Sequence, residues 1–356
     1  MLEFYKDKKV FITGHTGFKG SWLTRILYLA GAEITGFALE PSKNLNLFDV
    51  IKQGIVFKSI VGDIRDLEFL KVSMEEASPE IVFHLAAQPL VRESYLNPHY
   101  TFETNIMGTV NLLEAIRSCH SVKSVVNITT DKVYENYEWE WGYRENDRLN
   151  GYDPYSNSKS CSELVTDSYR RSFFSSMNVN ISTARAGNVI GGGDYADDRI
   201  IPDCIRAAQR GEEILIRNPY SIRPYQHVLE SLNAYLMIAE KQYLDSEYQG
   251  SYNVGPNEVD CVSTGALAQI FCDVWGNNLM WKNVGENGPH EAKFLKLDSS
   301  KIRSRLHWEP KWNISKAIEK TVEWTKQIGS DANMLKVMDM QISDFFIKEM
   351  KDEELI

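Results

Sequence analysis

No stretch of this 356-residue chain approaches the ~18 consecutive apolar residues of a membrane span, so no transmembrane helix is expected. The first residues, Met1 to Lys9, are polar and do not read as a secretory leader. Cysteine is scarce: five residues, at 119, 161, 204, 261 and 272, lie scattered without a C-x-x-C pair. That spacing argues against a disulfide scaffold and a zinc ribbon, and it fits reduced, mostly buried thiols in a cytoplasmic protein. Positive charge is in deficit, 39 Lys and Arg against 49 Asp and Glu, for a formal net charge of −10. Nonspecific attraction to nucleic acid or to an anionic membrane is thereby disfavoured, and an anionic substrate has to meet its own local cluster of cations. Low-complexity tracts and internal repeats are absent, and no metal site is expected.

What is present is a chain with 43% apolar residues, enough to bury a large core in one large or two interlocked domains. Short β-rich runs at 9–13, 33–38, 56–61, 80–85, 123–129 and 179–185 alternate with helical segments or loops. This alternation predicts an α/β fold, a Rossmann-type doubly wound parallel sheet with its ligand at the carboxyl ends of the strands. Beyond Gly187 the pattern loosens, which suggests a smaller C-terminal substrate-binding domain. A helix at 226–242 is expected to pack back on the sheet. The expected division is therefore discontinuous: 1–186 with about 226–248 for the cofactor, 187–225 with 249–356 for the substrate. The charged tail, 348–356, is expected to fray.

Gly14, Gly17 and Gly20 follow the first strand and open a helix, where glycines permit a tight turn and close approach of a pyrophosphate to the helix amino terminus. Thr16, Phe18 and Lys19 of the same loop join the cofactor set. Asp63 is placed to receive the adenine amino group, with Ile64 packing on the ring. Small residues at Leu85-Ala86-Ala87 let a ribose lie close to the backbone, and Asn105 and Thr129 complete the set. Glu40, about 20 residues past Gly20, either binds the ribose hydroxyls of NAD or faces solvent. No Arg follows that strand, which favours NAD over NADP, although Lys43 softens the preference.

Tyr155 and Lys159 stand four apart in a helical stretch and share one face, which sets an ammonium beside a phenol. A phenol ordinarily titrates near pH ~10, and a fixed cation favours its ionised form, giving a base for a sugar hydroxyl. Upstream, a strand runs into Thr130-Asp131-Lys132. Thr130 is placed to hydrogen-bond the hydroxyl being oxidised. Asp131 adds what a simple alcohol oxidation does not need, an acid able to protonate a leaving hydroxyl if burial holds its proton.

Several stretches extend these patterns: Gly14-His-Thr-Gly-Phe-Lys-Gly-Ser-Trp22, Gly62-Asp-Ile-Arg-Asp66, Ala86-Ala-Gln-Pro-Leu-Val-Arg92, Asp131-Lys-Val-Tyr-Glu-Asn136 and Gly151-Tyr-Asp-Pro-Tyr-Ser-Asn-Ser-Lys159. Arg185-Ala-Gly-Asn-Val-Ile-Gly-Gly-Gly-Asp194, Arg217-Asn-Pro-Tyr-Ser-Ile-Arg-Pro-Tyr-Gln-His-Val228 and Leu295-Lys-Leu-Asp298 belong to the second half. With these the sequence resembles the extended short-chain dehydrogenase/reductases and, among them, the CDP-glucose 4,6-dehydratases. The resemblance implies oxidation of a CDP-bound glucose at carbon 4, with Tyr155 removing the hydroxyl proton and hydride passing to NAD. Water is then lost across carbons 5 and 6 with acid from Asp131, and hydride returns to carbon 6. Tight NAD, regenerated in each turnover, is implied too. Related dTDP-glucose enzymes carry Glu after the Asp; here Lys132 is either an acid/base participant or an electrostatic helper. Tyr155 and Lys159 also face the cofactor in this family.

For the substrate, Arg199, Arg217 and Arg223 are candidate diphosphate ligands, Asn188 is placed to hold a phosphate or sugar oxygen, and His227 and Tyr225 flank either the diphosphate or the ribose; Gln88 and Arg92 are placed near the hexose. Tyr134, Tyr137, Trp139, Trp141 and Tyr143 either line the sugar site or pack on one another. Two alternatives share the fold: a 4,6-dehydratase for another nucleotide hexose, and a nucleotide-sugar 4-epimerase, which has no water to remove and no need of Asp131-Lys132. The family also implies a homodimer through a four-helix bundle built on the Thr104-to-Arg117 helix and the Tyr155 helix. It further implies a role in deoxysugar synthesis for lipopolysaccharide O antigen.

Overall fold

The computed structural model describes residues 1–42, 45–285 and 293–352, with side chains through 346; Lys43 and the end of the tail lie outside them. Six strands fall close to their expected places: β1 Lys9–Thr13, β2 Glu33–Ala38, β3 Lys58–Val61, β4 Ile81–His84, β5 Ser124–Ile128 and β6 Asn180–Ala186. They pair in parallel, in the order β6-β5-β4-β1-β2-β3, and Ser251–Val254 adds a seventh strand beside β6. That last strand falls within 249–356 and lies at the edge of the sheet. Its four residues, with Asn253 at the centre, carry too little apolar signal to be read as a strand.

Side chains alternate along each strand, so the sheet feeds two cores. Val10 and Ile12 join α1 (Phe18–Leu29) and the helix Val228–Leu244 on one face. Phe11, Val82 and Val125 join the helices Leu67–Ala77 and Gly108–Ser118 on the other. Gln242 fixes the Val228–Leu244 helix to the sheet: its Nε2 donates to Ser124 Oγ and the Val125 carbonyl, both at 2.9 Å. The long helix Asp331–Asp352 also packs on this face. Arg25 of α1 grips Asp339 there with two bonds of 2.7 and 2.6 Å. A third core, with Ile201, Ile216, Leu267, Phe271 and Ile318, belongs to the second half of the chain.

One buried carboxylate ties the helix Pro154–Tyr169 to the strand ends. Glu163, 3% exposed, accepts from Thr129 Oγ1 just past β5 at 2.5 Å and from Thr183 Oγ1 of β6 at 2.6 Å. Arg185 Nη2 of β6 completes it at 2.9 Å, and Nη1 donates to Tyr134 Oη at 2.8 Å. Tyr134 Oη donates onward to Asn253 Oδ1 of the seventh strand at 2.6 Å. Removing one partner of such a pair leaves an uncompensated buried charge. Glu163→Gln is expected to lower the unfolding free energy by about 3–5 kcal/mol. Glu163→Gln combined with Arg185→Met should cost less than the sum of the single changes, as measured by denaturant titration.

Histidines supply a second test. His84 of β4 is 1% exposed, bonded to Thr13 at 2.7 Å and Thr109 at 3.3 Å. Burial, with Lys159 nearby, pushes its imidazole down to about 3. Below pH ~6.5 an unfolded histidine takes up a proton that the folded one refuses, so stability falls as pH falls through that interval. Replacing it, His84→Gln, should flatten the slope of unfolding free energy between pH ~4 and ~6 by about 1.4 kcal/mol per pH unit.

Candidate active site

The glycine loop is built by contact as much as by turn geometry. Gly14 has φ +76°, and a Cβ on it would lie 2.7 Å from the Ala86 nitrogen. A Cβ on Gly20 would sit 2.1 Å from the Gly14 carbonyl oxygen, so α1 packs directly on the loop. Gly17 caps α1 with no side-chain hydrogen bond, which leaves the first-turn N–H groups at Phe18 and Lys19 to a ligand. Thr16 Oγ1 donates to the Leu39 carbonyl at 3.1 Å and ties the loop to the end of β2. Leu85, Ala86 and Ala87 run half-buried beside it. A dinucleotide pyrophosphate fits this cradle, because Gly14, Gly17 and Gly20 put no side chain of their own between it and the backbone donors. His15, unremarked in the sequence, supports it from beneath: it is fully buried and bonds Ser59 at 2.7 Å. A Cβ on Gly36 would lie 2.4 Å from its ring.

Other expected cofactor residues are placed differently. Glu40 is exposed past the end of β2. Asp63 is clasped by Arg65 at 2.6 Å, which holds its carboxyl below the ordinary value. Ile64 belongs to the core and meets Gly108. Asn105 accepts from the Gln88 nitrogen at 2.8 Å and donates to the Gln88 carbonyl at 3.1 Å and Ser158 at 2.9 Å. Gln88 in turn donates to Leu90 and Thr101. These two amides hold the loop after β4, with their polar atoms committed to it. Thr129 is likewise committed to Glu163.

Thr130, Asp131 and Tyr155 do come together. Thr130 caps the short turn Asp131–Val133 and donates to Asp131 Oδ1 at 3.0 Å. Asp131 is 1% exposed, and its Oδ2 has no hydrogen-bond partner among the described residues. Burial raises its carboxyl above the usual range, against the nearby charges of Lys132, Arg223 and Lys19. Tyr155, in the first turn of its helix, stands close to Thr130, whose hydroxyl favours its ionised form. The expected lowering of this phenol by Lys159 is overridden: burial pushes it up to about 12, with Thr130 and Arg199 opposing. Lys159 instead donates to the Ile128 carbonyl at 3.1 Å, and burial brings its ammonium down to about 8, with Glu163 holding the proton on. Lys132 is half-buried beside Asp131.

A second wall closes from the opposite face of the sheet. Lys19 Nζ donates to Tyr235 Oη of the Val228–Leu244 helix at 3.4 Å, and burial among Arg199 and Lys159 brings it down to about 7. Arg199 pairs with Asp194 at 2.9 Å. Neither Asp194 nor Tyr235 is singled out by the sequence; Glu163, one helical turn past Lys159, is findable from that spacing.

Of the remaining substrate candidates, Arg223 is buried, and Arg92 and Arg217 converge on Asp198 at 2.8 and 3.6 Å. Asn188 is half-buried, its backbone paired with Gln226. His227 is a core residue: fully buried, it caps the Val228–Leu244 helix and packs on Trp312 at 4.9 Å between ring centres. Tyr225 is buried and meets Thr264 at 3.3 Å. The aromatic loop stacks on itself, Tyr134 on Tyr143 on Trp139 on Tyr137, with centroids 5.2–5.5 Å apart.

The chain matches the family model described as GDP-mannose 4,6 dehydratase over residues 11–321. It is 47% identical over 348 residues to the CDP-glucose 4,6-dehydratase of Salmonella typhimurium, covering 96% of this chain and 97% of that protein. It is 26% identical to the CDP-paratose 2-epimerase of Salmonella typhi, covering 90% and 100%. Among solved structures, the dTDP-glucose 4,6-dehydratase of Bacillus anthracis in complex with NAD matches with a TM-score of 0.76 at 21% identity, covering 90% of this chain and 96% of that one. The UDP-glucose 4-epimerase complex with NAD from Thermus thermophilus gives 0.77 at 23%, covering 90% and 99%. Those two identities speak for the fold alone, whereas the family model and the Salmonella typhimurium relative cover nearly the whole chain: the protein belongs to the GDP-mannose 4,6-dehydratase family.

Proposed function

We propose that this protein is an NAD-dependent hydro-lyase that converts CDP-glucose to CDP-4-keto-6-deoxyglucose. The observation that carries the reading is Asp131: a fully buried carboxyl, raised above its usual range, with one oxygen unpartnered among the described residues, bonded through the other to Thr130 beside Tyr155. A 4-epimerase has no use for such an acid; a reaction that expels a hydroxyl does. The 47% identity to a CDP-glucose 4,6-dehydratase supports cytidine as the base.

NAD, when bound at the glycine loop, supplies the reversible oxidant, accepting hydride from carbon 4 and giving it back at carbon 6. Tyr155 takes the proton of the 4-hydroxyl while Thr130 orients that oxygen. The ketone so formed acidifies the carbon-5 proton. Lys132, as an amine, accepts the carbon-5 proton and returns it to carbon 5 when hydride reaches carbon 6, while Asp131 protonates the 6-hydroxyl as it leaves as water. Lys159 keeps positive charge beneath the phenol. Gly14, Thr16, Gly17, Phe18, Lys19 and Gly20 hold the pyrophosphate, with Leu85, Ala86 and Ala87 along the ribose. Asp63 lies near the adenine. Arg199, Arg217 and Arg223 meet the substrate diphosphate, with Asn188 on a phosphate or sugar oxygen and Arg92 where the diphosphate joins the sugar. The division into a cofactor unit and a substrate unit follows the separate third core, with the seventh strand assigned to the former.

A homodimer through the helices Gly108–Ser118 and Pro154–Tyr169 is part of this proposal, supported by exposed Leu164 on the second and by exposed Met107 and Phe173 in the turns just before the first and just after the second. So are a cytoplasmic location and a role in deoxysugar supply for surface polysaccharide.

Purified protein given CDP-, dTDP-, UDP- and GDP-glucose should form an alkali-absorbing 4-keto sugar fastest from the CDP form; equal or faster turnover of another sets the substrate aside. Tyr155→Phe should lower NADH formation by about 10²–10⁴-fold. Asp131→Asn should leave NADH formation and slow water loss by about 10²–10⁴-fold, so that NADH fluorescence accumulates after mixing; loss of both steps together would contradict the assigned roles. With the phenol near 12 and Lys159 near 8, kcat/KM should rise with pH while phenolate grows and break near 8, where Lys159 loses its charge. Lys159→Met should lack that break.

A further inference from the structure

Three side chains bridge the two halves of the chain near the catalytic cluster. Arg92 lies on the helix Val91–Leu96 after β4, and its Nη1 is 2.8 Å from Asp198 Oδ1. Arg217 follows the strand Ile214–Ile216, and its Nη2 is 3.6 Å from the same oxygen. One carboxylate oxygen thus sits between two guanidiniums, the arrangement two arginines otherwise offer to a phosphoryl oxygen. The side chains of Arg92, Asp198 and Arg217 are 41%, 43% and 43% exposed, so an anion from solution can reach all three.

Asp198 has φ +60°, a left-handed conformation that a side chain disfavours. The next residue, Arg199, is extended and turns to Asp194, within the electrostatic reach of Tyr155. One loop therefore offers a carboxylate to a pair of arginines and, a residue later, a guanidinium to the catalytic cluster.

We propose that Asp198 is a built-in counter-ion for the subsite of the substrate's diphosphate, displaced from Arg92 and Arg217 when the nucleotide binds. The inference rests on the nucleotide-sugar reading above. Two guanidiniums against one carboxylate leave a net positive charge, and a diphosphate brings more charge and more acceptor oxygens than Asp198 does. The existing ion pairs are half-exposed and therefore weak, which suits a contact that has to be given up. The cofactor's pyrophosphate has the same chemistry. Its cradle lies on the glycine loop and α1, however, whereas Arg92 and Arg217 stand on other elements, and this favours the substrate.

The test titrates CDP and, separately, ADP-ribose onto the wild type and Asp198→Asn by calorimetry. Asn removes the charge and tolerates the left-handed backbone, so the fold is kept. The variant should bind CDP about two- to five-fold more tightly at low salt, with the gain shrinking as salt rises. ADP-ribose binding should not change, and Arg217→Met should erase the gain. Unchanged or weaker CDP binding by Asp198→Asn overturns the inference, because the carboxylate would then be indifferent or helpful. A gain confined to ADP-ribose overturns the assignment to substrate. A wild type that does not bind CDP sinks the functional reading and this inference together, whereas normal CDP binding without the gain sinks the inference alone.

Discussion

Everything at the catalytic end of this molecule hangs on one carboxylate that cannot reach water. Glu163 gathers the loop after β5, two residues of β6 and, through Arg185, the aromatic stack and the seventh strand. Burying that charge is costly unless every acceptor position is filled, and Thr129, Thr183 and Arg185 fill them. The helix bearing Tyr155 and Lys159 is thus locked in register with the strand end bearing Thr130 and Asp131. A hydrophobic contact at the same place would hold the two elements together but would tolerate sliding. The hydrogen-bonded network does not, and proton transfer demands placement to fractions of an ångström.

The same burial explains the resting charges of the site. It raises Tyr155 and Asp131 and depresses Lys19 and Lys159, in each case favouring the neutral form. A helical turn between Tyr155 and Lys159 is therefore insufficient by itself to acidify the phenol. Position along the helix puts the cation on the correct face, but desolvation of the phenol outweighs it. What the lysine contributes is a charge held in place by Glu163 behind it and by the Ile128 carbonyl beside it.

Much of the fold was legible in the sequence, because short β-rich runs that alternate with helical segments and end near glycine or small residues have few other readings. β1 and β2 fall where the pattern puts them, and the glycine loop and the Tyr155 helix follow. The seventh strand was not legible, since Asn253 at its centre is there to bond Tyr134 and the Tyr143 carbonyl, partners more than a hundred residues away. A similar ambiguity runs through several site candidates. Gln88, Asn105, Thr129 and His227 are polar residues next to strand ends, where ligands also bind, and the sequence cannot tell a side chain aimed at a ligand from one aimed at a neighbouring backbone. Asn105 spends its amide on Gln88 and Ser158, and His227 caps a helix inside a cluster of tryptophans.

Charge placement is what separates the reading from a generic sugar oxidoreductase. The chain is acidic overall, yet Lys19, Lys132 and Arg223 all act on Asp131, and Arg199 acts on Tyr155. Cations crowded about a carboxyl would ordinarily strip its proton. Here desolvation is the larger effect, and among the described residues Oδ2 has no donor that would reward ionisation. A carboxyl whose hold on its proton is raised by burial, yet set inside a positive field, can hand that proton to a base, because the field stabilises the carboxylate it leaves behind. A hydroxyl departing from carbon 6 is such a base, and an oxidation at carbon 4 alone never generates one.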